Sequence, residues 1–459
     1  MNLRTYICIL AGVVAALSTV IRISDYFTLS FDSWVYWELA ISLTESFRYV
    51  DVTESVITPW PPLYPMLIAV WGQFFGLSLI AIKALNVVLS FAAAYVWMHV
   101  FYEINSENKR SGTVLAFIIV SMWVPSNYYG LLSETLWVPL VGLTILLFLR
   151  LRTRLQTPSS ATRKLKLVNW IYPTLAFALA ILCRNISLAL VVPLALLVSR
   201  MSPGYVIHKL SILIVPVLIW LATRTFLGQH SSHTLDGSFL TGLPHFREWV
   251  LISGGLFAPK LFALDFMALG LLVVVGFCAS KYISTAVLHR TKDSSNEIAV
   301  LLIYAGLLYW GGATLLLLAS SVPPIHERFY TIVIPLITFG SITILLKSGF
   351  GQVFKIACLA LLVLAALTFT YRNMYFVSNS IAGSESVFEN KFMISREWVS
   401  DTNKLIDQRV LAGEPLCQAI KGLGFSANTY RRWNNLSLGK VVETDCPTVS
   451  SRQTESENR

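Results

Sequence analysis

The segment SFDSWVYWELAISLTESFRYVDV, residues 30–52, directly follows the first apolar run of the chain and mixes acidic with aromatic side chains. The 459 residues are 55% hydrophobic and only 13% charged, a composition that excludes an ordinary soluble protein. We therefore expect the segment to lie at a membrane surface. One interpretation is an interfacial helix whose Trp34, Tyr36 and Trp37 form an aromatic belt while its acids face water.

The apolar runs predict an all-α polytopic membrane protein with about eleven transmembrane helices, because each run approaches the ~20 residues that cross a hydrocarbon core. The runs lie at residues 6–23, 81–102, 112–127, 133–150, 168–183, 186–199, 209–226, 259–279, 298–319, 329–346 and 352–371. No small-x-small cleavage site follows the first run, so we interpret it as a retained helix and not as a signal peptide.

The basic residues predict the orientation. With the amino terminus inside, most basic clusters fall in loops on the cytoplasmic side, as the positive-inside rule requires. The net charge of +10 therefore indicates orientation and implies no nucleic-acid partner. The opposite side receives 24–80, 227–258, 321–328 and the tail from about residue 372.

The run PPLYPMLIAVWGQFFGLSLI, residues 61–80, is apolar enough to span the membrane. Counting it as a span would reverse every later loop and would place the basic run 150–166 outside. We therefore predict a re-entrant or surface-lying helix that Pro61 and Pro62 open.

Two units are expected, a transmembrane domain at 1–371, whose first outer loop is 24–80, and a small extracytoplasmic segment at 372–459. In the tail, SREWVSDTNKLIDQRV at 395–410 has the spacing of an amphipathic helix. Cys417 and Cys446 lie in this tail on the predicted outer side, where one disulfide between them is expected. Two free thiols are the alternative.

The order of several motifs resembles the GT-C superfamily of integral-membrane glycosyltransferases. After the first apolar run come FDSWVYWELAISL (31–43), TPWPPLYPMLIAVWGQFFGLS (58–78), IKALNVVLSFAAAYV (82–96) and NYYGLLSETLWVPL (127–140). The pattern is most similar to the branch that contains protein O-mannosyltransferases, the lipid A aminoarabinose transferase and related polyprenyl-phosphate-sugar transferases. ALAILCRNISLALVVPLALL (178–197) and HERFYTIVIPLITF (326–339) match later parts of that pattern more weakly.

The resemblance implies a GT-C-like bundle with juxtamembrane helices in the first outer loop, and it assigns the catalytic base to Asp32. Ser33 departs from the Asp-Glu pair that is frequent in the family, which leaves Asp32 as the candidate at the motif. A second catalytic acid is matched by Glu134, where relatives often have Asp. Trp60 stands where the aminoarabinose branch has a lysine, which argues against that substrate class. Substrate contacts are expected from Tyr36, Trp60, Tyr64 and Glu327.

The implied reaction explains why these residue types are needed. A polyprenyl-phosphate sugar passes its C1 to an acceptor hydroxyl, and a carboxylate takes the hydroxyl proton. The leaving phosphate needs fixed positive charge in a low-dielectric cleft. Arg328 is the first choice for that charge, with His326 beside it and Arg184 second. The alternatives are a simple Glu327–Arg328 pair at the interface and an anchoring role for Arg184.

The loop GQHSSHTLDGSFLTGLPHFREW, residues 228–249, gathers His230, His233, Asp236 and His245. Its Ser, Gly and Asp residues favour a solvated loop with substrate contacts over a metal site. No cofactor is assigned, and a requirement for a divalent metal stays open.

The expected function is transfer of a sugar from a polyprenyl-phosphate donor, with inversion, to a lipid-linked, glycan or protein acceptor. The expected location is a bacterial inner membrane, with membrane lipid around the chain and the active site facing the periplasm or the outside. A lipid-linked polysaccharide polymerase or ligase and a transporter or flippase are the alternatives. A transporter would show paired half-chain repeats, and the sequence has none that we can detect.

Overall fold

The computed structural model describes residues 2–23, 26–28, 31–49, 60–105, 110–128, 130–156, 168–199, 206–227, 294–318, 331–347, 393–415 and 418–419. The elements are α1 (Leu3–Ile23), β1 (Tyr26–Thr28), α2 (Phe31–Ser46), α3 (Leu63–Phe75), α4 (Leu79–Ile104), α5 (Arg110–Trp123), α6 (Glu134–Gln156), α7 (Val168–Cys183), α8 (Val191–Ser199), α9 (Val206–Phe226), α10 (Ser294–Leu318), α11 (Val333–Lys347), β2 (Met393–Ser395) and α12 (Arg396–Leu411). Short 3₁₀ helices at Val124–Asn127 and Asn185–Leu190 follow α5 and precede α8.

Within the described ranges, 5 helices are long and apolar enough to cross a membrane, namely α1, α4, α6, α9 and α10. Shorter apolar helices accompany them, among them α3, α5, α7 and α11. The prediction of a helical polytopic membrane protein is confirmed. The predicted spans 259–279 and 352–371 lie outside the described residues, so the total of about eleven crossings stays a prediction.

The helices pack in sequence order around a core rich in tryptophan. α1 packs on α4, α4 on α6, α6 on α7, α7 on α9, and α10 on α11. Trp97 of α4 is fully buried and donates its indole N–H to the Val138 carbonyl of α6 at 3.1 Å. Its ring meets that of Trp123 edge to face, with 5.8 Å between centroids. An indole buried with its N–H satisfied gives large apolar contact without a desolvation cost.

The first outer segment forms two helices that pack on each other, α2 and α3. α3 begins directly after Pro61 and Pro62 and ends at Gly76, whose φ of 76° is a conformation that glycine adopts without steric cost. With 13 residues it is about 20 Å long, too short to cross a hydrocarbon core of ~30 Å. Its placement relative to the membrane stays a prediction.

α6 is longer than hydropathy predicted, because it runs to Gln156 and not to residue 150. Arginines at and beyond that boundary meet acids on neighbouring helices. Arg150 lies 2.9 Å from Glu103 of α4, and Arg152 lies 2.6 Å from Glu297 of α10. Arginine favours helix, and each cation has a partner, so the helix continues past the apolar boundary.

A short antiparallel ladder joins the tail to the first outer segment. β1 pairs with β2 so that Tyr26 lies opposite Ser395 and Thr28 opposite Met393. The predicted tail helix is confirmed as α12, which begins directly after β2. The two three-residue strands are an addition to the predicted all-α fold, since runs this short carry no alternation that marks a strand. The division into units at residue 371 stays a prediction.

Candidate active site

The connection between α5 and α6 is the structural centre of the candidate site. Tyr128 donates its hydroxyl to the Thr135 carbonyl at 2.8 Å, and Asn86 of α4 donates its amide to the Gly130 carbonyl at 2.7 Å. Tyr128 and Asn86 are fully buried. Burial raises the pKa of Tyr128 well above its usual value, so the phenol stays a neutral donor. These bonds fix the start of α6 against α4.

A buried ion pair lies at the start of α6. Arg184 Nη1 is 2.6 Å from Glu134 Oε1, and the two side chains are only 10% and 3% exposed. Glu134 is the first residue of α6, where a carboxylate is favoured by the helix dipole. Arg184 follows α7 in extended backbone. The sequence predicts separate roles for Glu134 and Arg184, and the fold brings the two side chains into contact.

Trp137 contacts Arg184 of this pair, and Ser187 accepts a hydrogen bond from Trp137. The Arg184 guanidinium lies over the Trp137 ring, 5.5 Å from its centroid. Trp137 donates its indole N–H to Ser187 Oγ at 2.5 Å, and Ser187 donates to the Ala180 carbonyl at 2.8 Å. The guanidinium therefore contacts a carboxylate and lies over an aromatic ring, both of which can attract a cation.

Tyr36 and Tyr64, two predicted substrate contacts, reach the same place from α2 and α3. Tyr36 donates its hydroxyl to Ser133 Oγ at 3.0 Å, and Ser133 donates to Glu134 Oε2 at 3.4 Å. The rings of Tyr36 and Tyr64 meet edge to face with centroids 5.1 Å apart. Thr135 Oγ1 lies 3.2 Å from the Tyr64 hydroxyl. Both tyrosines are buried, at 5% and 0% exposure.

Of the other predicted site residues, Asp32 and Trp60 belong to the described part of the chain and the rest do not. Asp32 lies in the first turn of α2, four residues and so about one helical turn before Tyr36. Trp60 is half-buried, and its carbonyl accepts the Tyr49 hydroxyl at 2.7 Å. Burial raises the pKa of Tyr49 above its usual value. Outside the described residues lie His326, Glu327, Arg328, Cys417, Cys446 and the loop residues His230, His233, Asp236 and His245.

Sequence reasoning missed Ser133, Trp137 and Ser187. A signal was present, because Trp137 follows Glu134 by three residues and Ser187 follows Arg184 by three. Residues three apart share a helix face, so each charge had a neighbour positioned to support it. That Glu134 and Trp137 meet Arg184 and Ser187 depends on the packing of α6 on α7, which the sequence does not show.

No protein-family model matches the chain, and no curated protein sequence matches it. Solved structures that it is similar to include three of the oligosaccharyltransferase of Archaeoglobus fulgidus. The form tethered to an acceptor peptide containing the NVT sequon has a TM-score of 0.48 at 13% identity, over 87% of this chain and 57% of that one. The form with an inhibitory peptide and a dolichol-phosphate gives 0.42 at 12%, over 89% and 58%. The form with Zn and sulfate gives 0.43 at 13%, over 86% and 55%. The chain spans somewhat more than half the length of these enzymes.

Proposed function

We propose that the chain is an integral-membrane glycosyltransferase of the GT-C type. It transfers a sugar from a polyprenyl-phosphate donor, with inversion, to an acceptor hydroxyl outside the cytoplasm. The observation that carries the proposal is the buried Glu134–Arg184 pair, joined through Ser133 and Tyr36 to the helix whose first turn holds Asp32. A carboxylate in the first turn of α2 and a fixed cation directly after α7 are the two kinds of group that this transfer needs.

Asp32 is the general base of the proposed reaction. The acceptor oxygen forms a bond to C1 of the sugar while the bond from C1 to the phosphate oxygen breaks. The acceptor proton goes to the Asp32 carboxylate, and the electron pair of the broken bond leaves with the phosphate. Attack opposite the leaving group inverts the configuration at C1.

Positive charge stabilises the leaving phosphate. Arg184 supports this role because Glu134 and Trp137 fix its guanidinium before the donor arrives, and a preset charge needs no reorganisation during reaction. Arg328 and His326 are proposed to share the role. Thr331, three residues after Arg328, donates to Asn127 at 3.0 Å, beside the start of the α5–α6 connection. Glu134 is proposed as the second carboxylate of the site.

The two ends of α6 support the proposed side of the membrane. Its 23 residues span about 35 Å, close to the thickness of a bilayer core. Glu134 begins the helix, and Arg150, Arg152 and Arg154 lie near its other end. If the arginine end is cytoplasmic, as the positive-inside rule requires, the site opens on the opposite face. We propose a bacterial inner membrane and a lipid-linked, glycan or protein acceptor.

The test is Asp32→Asn, which keeps the shape of the side chain and removes its basicity. We expect transfer to fall about 100-fold or more while the protein keeps its thermal midpoint in detergent. The measurement is transfer of a tritium-labelled sugar to membrane products. The donors, tested one at a time, are undecaprenyl-phosphate glucose, mannose, galactose and N-acetylglucosamine. Glu45→Gln is the matched control, since Glu45 is exposed on the same helix. A folded Asp32→Asn variant with more than about a tenth of the activity would contradict the assignment.

A further inference from the structure

One unbroken set of contacts links α2 to the Glu134–Arg184 pair. It runs from the Tyr36 hydroxyl to Ser133 Oγ, from Ser133 to Glu134 Oε2, and from Glu134 Oε1 to Arg184. We propose that Tyr36 is a positioning residue, which sets Arg184 through Ser133 and Glu134 and does not touch the substrate. The inference rests on the proposed function, because it assigns Arg184 to the donor phosphate.

The directions of the hydrogen bonds support this linkage. A serine hydroxyl has one proton, and Tyr36 donates its own proton to Ser133 at 3.0 Å. The Ser133 proton is therefore directed to Glu134 Oε2 at 3.4 Å. The other carboxylate oxygen, Oε1, meets Arg184 at 2.6 Å. The Glu134 carboxylate is thus linked to Tyr36 of α2 by Oε2, through Ser133, and it meets Arg184 directly by Oε1.

Burial makes each hydrogen bond of this linkage costly to lose. Tyr36 is 5% exposed, Ser133 is 1% exposed and Glu134 is 2% exposed. Water has little access to replace a lost hydroxyl here, so a buried partner left without its bond carries the full penalty. The edge-to-face contact with Tyr64 holds the Tyr36 ring in place, which lets the hydroxyl be removed without removing the packing.

The linkage sets the position of the general base, Asp32, relative to the cation, Arg184. Asp32 lies one turn before Tyr36 on α2, and Arg184 directly follows α7. A general base and a phosphate cation must face opposite sides of the same sugar carbon, and a misplacement of about 1 Å costs on the order of 100-fold in rate. The Tyr36–Ser133 bond fixes the helix of the base relative to the cation.

The experiment measures binding of undecaprenyl phosphate, without sugar, to the purified full chain in nanodiscs. The variants are Tyr36→Phe, Ser133→Ala, the double variant of these two, and Arg184→Ala. Tyr95→Phe is the control, since Tyr95 packs on Phe91 and His99 of α4, outside this contact chain. We expect Tyr36→Phe and Ser133→Ala each to raise the Kd about tenfold, the double variant to match the worse single, and the control to equal the native chain.

The outcomes separate the inference from the function on which it rests. A Tyr36→Phe Kd equal to that of the native chain overturns the positioning role, and so do additive effects in the double variant. If Tyr36→Phe weakens binding and Ser133→Ala does not, Tyr36 touches the ligand directly and the inference is also wrong. In these cases a loss of binding in Arg184→Ala leaves the proposed function standing. A native chain that binds no undecaprenyl phosphate overturns the proposed function and the inference with it.

Discussion

At the scale of single residues, the fold gives Glu134 and Arg184 a shared environment that the sequence does not reveal. Hydropathy places each at the edge of an apolar run, and an ionisable group there suggests function. Fifty positions separate them, so only the packing of α6 on α7 brings them to 2.6 Å. The same holds for Tyr36, whose hydroxyl is bonded to Ser133 inside the protein. Residue types were predictable from the sequence, but the pairs that they form were not.

The buried pair predicts a large and recoverable loss of stability. Arg184→Ala leaves the Glu134 carboxylate buried without its cation, which we expect to cost about 3–5 kcal/mol. Replacing both partners by apolar side chains, Glu134→Leu with Arg184→Met, is expected to recover most of the stability but not donor binding. Thermal unfolding in detergent measures the first effect, and binding of undecaprenyl phosphate measures the second.

The control for this prediction is the more exposed pair Arg150–Glu103, whose side chains are 41% and 29% exposed. Solvent screens such pairs, so Arg150→Ala is expected to cost only ~0–1 kcal/mol. Equal losses of stability in Arg184→Ala and Arg150→Ala would show that the Glu134–Arg184 pair is solvated in the folded protein.

At the scale of elements, hydropathy located the helices well and misplaced one end each of α6 and α8. α1, α4 and α9 differ from the predicted runs by a few residues, because apolar composition and helix length coincide there. α6 extends past its apolar boundary because its arginines are paired. The predicted span 186–199 instead begins with the 3₁₀ helix Asn185–Leu190. Ser187 donates to the Ala180 carbonyl there, a contact that composition does not encode.

The contact between α10 and α11 predicts an intolerant glycine. A Cβ on Gly340 of α11 would lie 2.5 Å from the backbone carbonyl oxygen of Ala299 on α10, and backbone cannot rotate aside. We expect Gly340→Ala to separate the helices and to cost about 1–3 kcal/mol. Gly311→Ala is the control, since no atom of the described residues outside its own stretch of helix lies within 4 Å of its Cβ position, and alanine gains up to ~1 kcal/mol over glycine in a helix. Thermal midpoints in detergent compare the two, and a Gly340→Ala midpoint at or above that of the Gly311→Ala variant would contradict the close packing.

At the scale of the whole molecule, the two ends of the helix bundle differ in charge, which supports the proposed orientation. Glu134 and the arginines of α6 lie at opposite ends of one helix, and Glu103 near the end of α4 meets Arg150 at the arginine end. The candidate site therefore lies at one end of the bundle and the basic cluster at the other. Charge distribution in the sequence predicted this separation, because short loops carry the signal directly. β1 and β2 pair across more than 360 residues of sequence, and no pattern in the sequence predicted that pairing.

This orientation predicts which cysteines an impermeant thiol reagent reaches in intact cells. In a background with the native cysteines replaced, Phe47→Cys is expected to be labelled, because Phe47 follows α2 on the site side and is 89% exposed. Arg154→Cys, exposed near the other end of α6, is expected to be labelled only after the membrane is permeabilised. Both side chains are exposed on the protein surface, so if both react after permeabilisation, a difference in intact cells reports the side of the membrane and not burial. The reverse pattern would place the basic cluster outside, against the cost of translocating short arginine-rich loops. It would then place Asp32 and the Glu134–Arg184 pair on the cytoplasmic side, against the proposed function.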